Sequence, residues 1–128
     1  MELTIYVNSY RKRNPQGILY APDCKVVEEF QNLTQLVFLM DDIVYRNGKR
    51  KPCYTSHKQV HRKLFLLMSQ KTIWHNVIGT FQISKFNRKR GSWEGIMYWK
   101  ENDESYVFRS EMEFFRILDH ALHFSADV

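Results

Sequence analysis

Acidic residues are missing from the middle of this chain: between Ile43 and Trp93 there is no Asp or Glu. The stretch therefore holds no carboxylate of its own to neutralise its lysines and arginines. Cysteine is scarce as well. Only Cys24 and Cys53 occur, in separate segments and outside any close pairing motif. That excludes a disulfide framework and a cysteine-based zinc module and fits a reduced, cytoplasmic setting. Long apolar runs are also lacking, since a stretch such as Leu64 to Met68 is far too short to cross a bilayer. The opening MELTIYVNSY has no charged-then-apolar layout of a signal peptide. A soluble protein without membrane contact is expected. Catalytic signatures are missing too: there is no GxSxG, phosphate-cradling glycine loop, HExxH or supported Cys–His arrangement. This predicts a protein that binds rather than catalyses, and no cofactor is implied.

What is present is a foldable composition. The chain has 128 residues, 44% hydrophobic, 15% aromatic and 26% charged, enough to bury the core of one domain without covalent or metal staples. Its net charge of +5 is unevenly spread. The acid-free middle carries twelve cations: Arg46, Lys49, Arg50, Lys51, Lys58, Arg62, Lys63, Lys71, Lys85, Arg88, Lys89 and Arg90. The remainder carries seven cations and all 14 acids, so two acidic flanks bracket a basic centre.

An offset of 78 residues lays 3–44 over 81–122 without a gap. It pairs Ile5 with Ile83, Gly17 with Gly95, Tyr20 with Tyr98, Phe30 with Phe108 and Asp41 with Asp119. Each half reads alike. LTIYVNSY and FQIS alternate as half-buried strands, RKRNPQG and NRKRGSWEG supply polar turns, and GILYA and GIMYW return as second strands. A further turn, PDCK or KENDE, precedes a short third strand, VVEEF or SYVF. Leu33, Leu36, Val37, Met40, Ile43 and Val44 then recur at helical spacing, as do Phe114, Phe115, Leu118, Ala121 and Leu122. Asn32 with Gln35, and Ser110 with Glu113, form a capping box at the start of each helix. The expected architecture is α+β: an internally duplicated βββα unit about a pseudo-twofold axis, in a single domain spanning 1–128. Repeat one covers 3–44, a basic connector 45–77 and repeat two 78–123. GKRKP reads as a loop, Ser56 to Met68 as a short basic amphipathic helix, and the second copy's first strand as starting near Thr72.

Lysines and arginines interleaved with aromatic rings suit nucleic acid, because cations displace phosphate counterions while rings stack on unpaired bases. The expected binding residues are Lys49, Arg50, Lys51, Lys58, Arg62, Lys63, Arg88, Lys89 and Arg90 on phosphates, with Trp93 and Tyr98 as stacking rings, alongside Trp74 and Trp99. The plainer reading has the cations solvating a surface and the rings filling a core. A third has the basic surface occupying an acidic patch of a partner protein, as an adaptor or inhibitor of a nucleic-acid enzyme. Arg11, Lys12 and Arg13 recur as Arg88, Lys89 and Arg90 on related hairpin tips, where two tips could grip a backbone. His57 and His61 are four apart, but no third ligand accompanies them, so no metal is expected. His75 is equally isolated, and His120 and His123 fit a helix end. Asp41, Asp42 and Asp119 read as solvated helix carboxylates, and for Asp41 and Asp119 capping or bonding to the neighbouring copy is a more economical role than acid–base chemistry.

The residues Ser92, Trp93, Glu94, Gly95, Phe108, Arg109, Ser110, Ile117, Leu118 and Asp119 resemble a family of small uncharacterised bacterial proteins. Their tails share a pattern like SWQG, a strand, then FRS and an ELxxLID helix. The likeness covers roughly the last third of the chain, and NSY with FQNLTQLVFLMDDI is similar to a matching first half. It implies kinship and carries no activity. The layout also resembles the duplicated sheet-and-helix units of Pur-alpha and Whirly single-strand binders, which usually have four strands before the helix where three are counted here.

Overall fold

The computed structural model describes residues 1–24, 26–49 and 77–126. Strands β1 (Leu3–Arg11), β2 (Asn14–Ala21) and β3 (Val26–Phe30) precede helix α1 (Leu33–Lys49). Strands β4 (Gly79–Lys89), β5 (Ser92–Trp99) and β6 (Glu104–Phe108) precede helix α2 (Glu111–Ala126). A 3₁₀ turn sits between the second and third strand of each set, at Pro22–Cys24 and Lys100–Asn102. The fold is α+β, and all six strands form one antiparallel sheet in the order β3-β2-β1-β4-β5-β6. The two sets meet at β1 and β4, where Leu3 pairs with Ile83, Thr4 with Gln82 and Ile5 with Phe81.

Alternation decides which face is covered. Leu3, Ile5, Val7, Leu19, Ala21, Phe81, Ile83, Met97 and Trp99 point to one side and form a single core with Leu36, Met40, Ile43, Phe114, Leu118 and Leu122 of the helices. The opposite side carries Thr4, Tyr6, Tyr20, Gln82 and Tyr98, which share register rows. Ile18 and Val27 lie on that second side and are buried nonetheless, whereas Gln82 is exposed.

Both expected N-caps form, while the reciprocal side chains reach one residue further back than a capping box requires. The Gln35 N–H donates to Asn32 Oδ1 at 2.8 Å and the Gln31 N–H to Gln35 Oε1 at 2.7 Å. In α2 the Glu113 N–H donates to Ser110 Oγ at 3.1 Å and the Arg109 N–H to Glu113 Oε2 at 2.7 Å. One orphan helix amide and the amide just before the cap are satisfied at each helix start, so each helix begins just after its third strand ends.

Three expectations need correction. The polar turns are shorter than the sequence suggests, because β1 and β4 run on to Arg11 and Lys89 and only two residues turn each corner. The loop expected at GKRKP does not start at Gly48, since α1 continues through Lys49. A glycine in a helix's last turn loses less than one in its middle, where fraying is not an option. Finally, Val77 and Ile78 are not strand and β4 begins at Gly79, later than Thr72, which lies outside the described residues. The expected basic helix of 56–68 lies outside them too.

Candidate nucleic-acid interface

The exposed basic residues of the described chain concentrate at two hairpin tips, and backbone geometry sets both. In the first, Lys12 and Arg13 have φ of 54° and 57° between Arg11 and Asn14, which pair. In the second, Arg90 and Gly91 have φ of 54° and 80° between Lys89 and Ser92, which also pair. Two central residues with positive φ are the mark of a type I′ turn, whose twist matches the flanking strands. Such turns favour Asn-Gly, since a side chain in the left-handed region costs about 1 kcal/mol or more. Here Lys, Arg and Arg fill three of the four positions.

A bulge aims the residues below each tip. Tyr6 pairs with Ile18 and Ser9 with Gln16, while Ser84 pairs with Ile96 and Asn87 with Glu94, so β1 and β4 each carry one residue too many. The slip resets alternation and turns Phe86 and Arg88 toward the helices, as it does Tyr10. Arg88 reaches Asp41 of α1, its guanidinium 3.3 Å from Oδ1. The same oxygen accepts the Trp93 indole N–H at 3.1 Å. At the other tip Asp119 of α2 accepts the Tyr10 hydroxyl and lies 3.7 Å from Arg13 Nε. Each aspartate is therefore bonded by the other half's hairpin. Both ion pairs are largely solvated and worth at most about 1 kcal/mol.

Burial, and then the bond to Asp119, hold the Tyr10 phenol above its ordinary pKa of 10.0. A folded-state value above the unfolded one means that this contribution is full below pH 10.0, declines above it, and is gone once the raised folded-state value is passed. Tyr10→Phe should therefore cost about 1 kcal/mol at neutral pH, with the difference from wild type narrowing in alkali. Urea titrations at several pH values measure this.

The tips do not lie side by side. Because β1 and β4 are antiparallel and cross at Thr4 and Gln82, Lys12 and Arg90 each stand eight residues out in opposite directions. At about 3.3 Å per residue the tips are roughly 50 Å apart along the strands, so they cannot close on one point. Of the expected cations, Arg88, Lys89 and Arg90 are grouped at the second tip and exposed. Lys49 closes α1 instead. Arg50, Lys51, Lys58, Arg62 and Lys63 lie outside the described residues, as do Trp74 and His57, His61 and His75.

The expected stacking rings separate. Trp93 is only 1% exposed, with Phe86, Phe114 and Phe115 edge-on around it at centroid distances of 5.4, 5.6 and 6.0 Å. Neither of its faces is open to a base, and Trp99 is buried as well. The alternation Trp93, Gly95, Met97, Trp99 on the covered face explains both. Tyr98 lies on the other face, its hydroxyl donating to Asp103 at 2.7 Å. In the same register row stand Tyr20, Thr4 and Gln82, so the two tyrosines sit about 14 Å apart with two polar side chains between them. Sequence reasoning missed Tyr20 as a partner of Tyr98, although the 78-residue offset pairs them.

Among the described residues no cluster of three or more His, Cys, Asp or Glu is placed to hold a metal, and no helix is long and apolar enough to cross a membrane. Comparison with family models, curated proteins and solved structures found no match for this chain.

Proposed function

We propose that the protein binds nucleic acid without acting on it chemically, through phosphate contacts made by Arg11, Lys12 and Arg13 at one tip and Arg88, Lys89 and Arg90 at the other. The observation that carries this is the left-handed backbone of Lys12, Arg13 and Arg90. Strain at three exposed cations of the tips, where Asn or Gly would relieve it, fits residues placed for what they touch rather than for the fold, although Lys85 at the bulge shares that backbone. Tyr20 and Tyr98 offer ring faces between the tips, and a strand of nucleic acid is long enough to span both. Of the remaining cations of the acid-free stretch, Lys49, Arg50, Lys51, Lys58, Arg62 and Lys63 would add to the same electrostatic attraction.

The two halves are read here as copies of one βββα unit related by a pseudo-twofold axis through the Thr4–Gln82 pair. The 78-residue offset turns the Leu3–Ile83 pair into Phe81–Ile5, which is also a pair of the same register. It also turns the Glu2 N–H bond to Asp23 into the Thr80 N–H bond to Glu101. Under that axis, the two tips are equivalent phosphate sites.

Replacing Lys12 with Asn and Arg13 with Gly tests the proposal, because it moves stability and binding in opposite directions. The turn loses its strained residues, so the protein should gain about 1 kcal/mol in urea unfolding. Binding to labelled single-stranded DNA and RNA, followed by anisotropy between about 50 and 200 mM salt, should weaken. Its log–log salt slope should become shallower by about 1.4, the share of two phosphates. Wild-type protein that fails to bind at low salt, or a variant that binds with an unchanged slope, overturns the proposal.

A further inference from the structure

The sheet ends in two edge strands that differ in one respect. At β3 the adjacent Glu28 and Glu29 are both exposed, one on each face, so two such edges would repel. At β6 the only charge is Glu104, at the first residue of the strand. Glu104–Phe108 contains no Lys, Pro or Gly, its register with β5 is unbroken, and Val107 is 61% exposed. Among the described residues no strand lies beyond it. Its charges are ordered: Glu101, Asp103 and Glu104 gather at one end and Arg109 stands at the other.

From this polarity we infer that β6 pairs with β6 of a second copy, antiparallel about a twofold axis through Tyr106. Residues directly opposite in an antiparallel pair share a face. With Tyr106 facing its own copy, Val107 falls opposite the partner's Ser105 and Glu104 opposite the partner's Phe108, next to Arg109. By symmetry the acidic start of each strand then lies at the Arg109 end of the other, at both ends of the seam, while the backbone donors and acceptors of both edges are satisfied. Parallel pairing would instead set acid against acid. Met112, 59% exposed in the first turn of α2, follows the strand closely and would flank the seam. The result is one continuous twelve-stranded sheet, twice the six of each copy.

Sedimentation equilibrium of the full chain over a micromolar to sub-millimolar range tests this directly. Wild type should approach twice its 15.5 kDa mass as concentration rises, with a dissociation constant that increases with salt. Val107→Lys, at an exposed position that leaves the core untouched, should raise that constant at least tenfold, as should Arg109→Glu. Phe38→Lys, on the outer side of α1, should leave it unchanged. A wild type that stays monomeric throughout overturns the inference and leaves the edge to a strand from another protein. So does a Val107→Lys protein, folded by circular dichroism, that still dimerises like wild type.

Discussion

Gly17→Ala should cost the protein more than about 3 kcal/mol of stability. A Cβ at Gly17 would stand 1.8 Å from the Tyr6 carbonyl oxygen, 2.8 Å from its carbon and 3.0 Å from Val7 Cα. All three atoms are backbone, so no side chain can swing aside and the β1–β2 bulge must open. Overpacking of a core costs up to about 3 kcal/mol where side chains yield. A backbone clash should exceed that, against a total stability of roughly 5–15 kcal/mol for a domain. Gly95 provides the comparison: its added methyl would meet Phe108 Cζ at 2.9 Å and the Ser84 oxygen at 3.1 Å. Because a ring can shift, Gly95→Ala should cost less. Urea midpoints measured on the two variants should fall in that order, and a Gly17→Ala protein as stable as wild type would refute the tight bulge.

Trp93→Ala should cost about 3–5 kcal/mol, the range for deleting a buried aromatic ring. The ring lies between β4 and α2 against Phe86, Phe114 and Phe115, and its indole N–H ties Asp41 of α1 into the same cluster. Trp93→Phe keeps much of the apolar contact and loses only the donor. It should therefore cost about 1–2 kcal/mol, with Asp41 exposed enough to rehydrate. A double-mutant cycle with Asp41→Asn separates the two contributions: coupling near zero would mean that the indole–carboxylate bond contributes nothing. Under the proposed function, nucleic-acid binding gives an independent check, since a ring buried in the core has no base to lose. A Trp93→Phe protein that remains folded should keep wild-type affinity.

The reading of Trp93 as a stacking ring shows how sequence misleads at such a position. Aromatics among cations fit a binding surface, yet β5 alternates without interruption from Ser92 to Trp99 and puts both tryptophans beside Met97. That alternation was the usable signal. The hairpin tips were harder to foresee, because the expected mark of a type I′ turn is Asn-Gly and the first turn here is Lys-Arg. Nor does an acid-free sequence stretch make an acid-free region in space. Arg88 meets Asp41, and the Trp93 amide donates to Glu111 at 2.5 Å, with both carboxylates coming from outside the stretch.

Local patterns alone determined the α+β class, the order of three strands before each helix, the apolar stripes of both helices and their caps. These depend on neighbours within a few residues, and such information is written into the chain directly. Only the tertiary structure decided that β1 and β4 join the two sets into one sheet, that the basic tips point away from each other, and that each aspartate serves the opposite hairpin. Those outcomes follow from which strand edges meet and in what register. That choice is made by the burial of Leu3, Ile5, Phe81 and Ile83 together, far apart in sequence and adjacent only once folded.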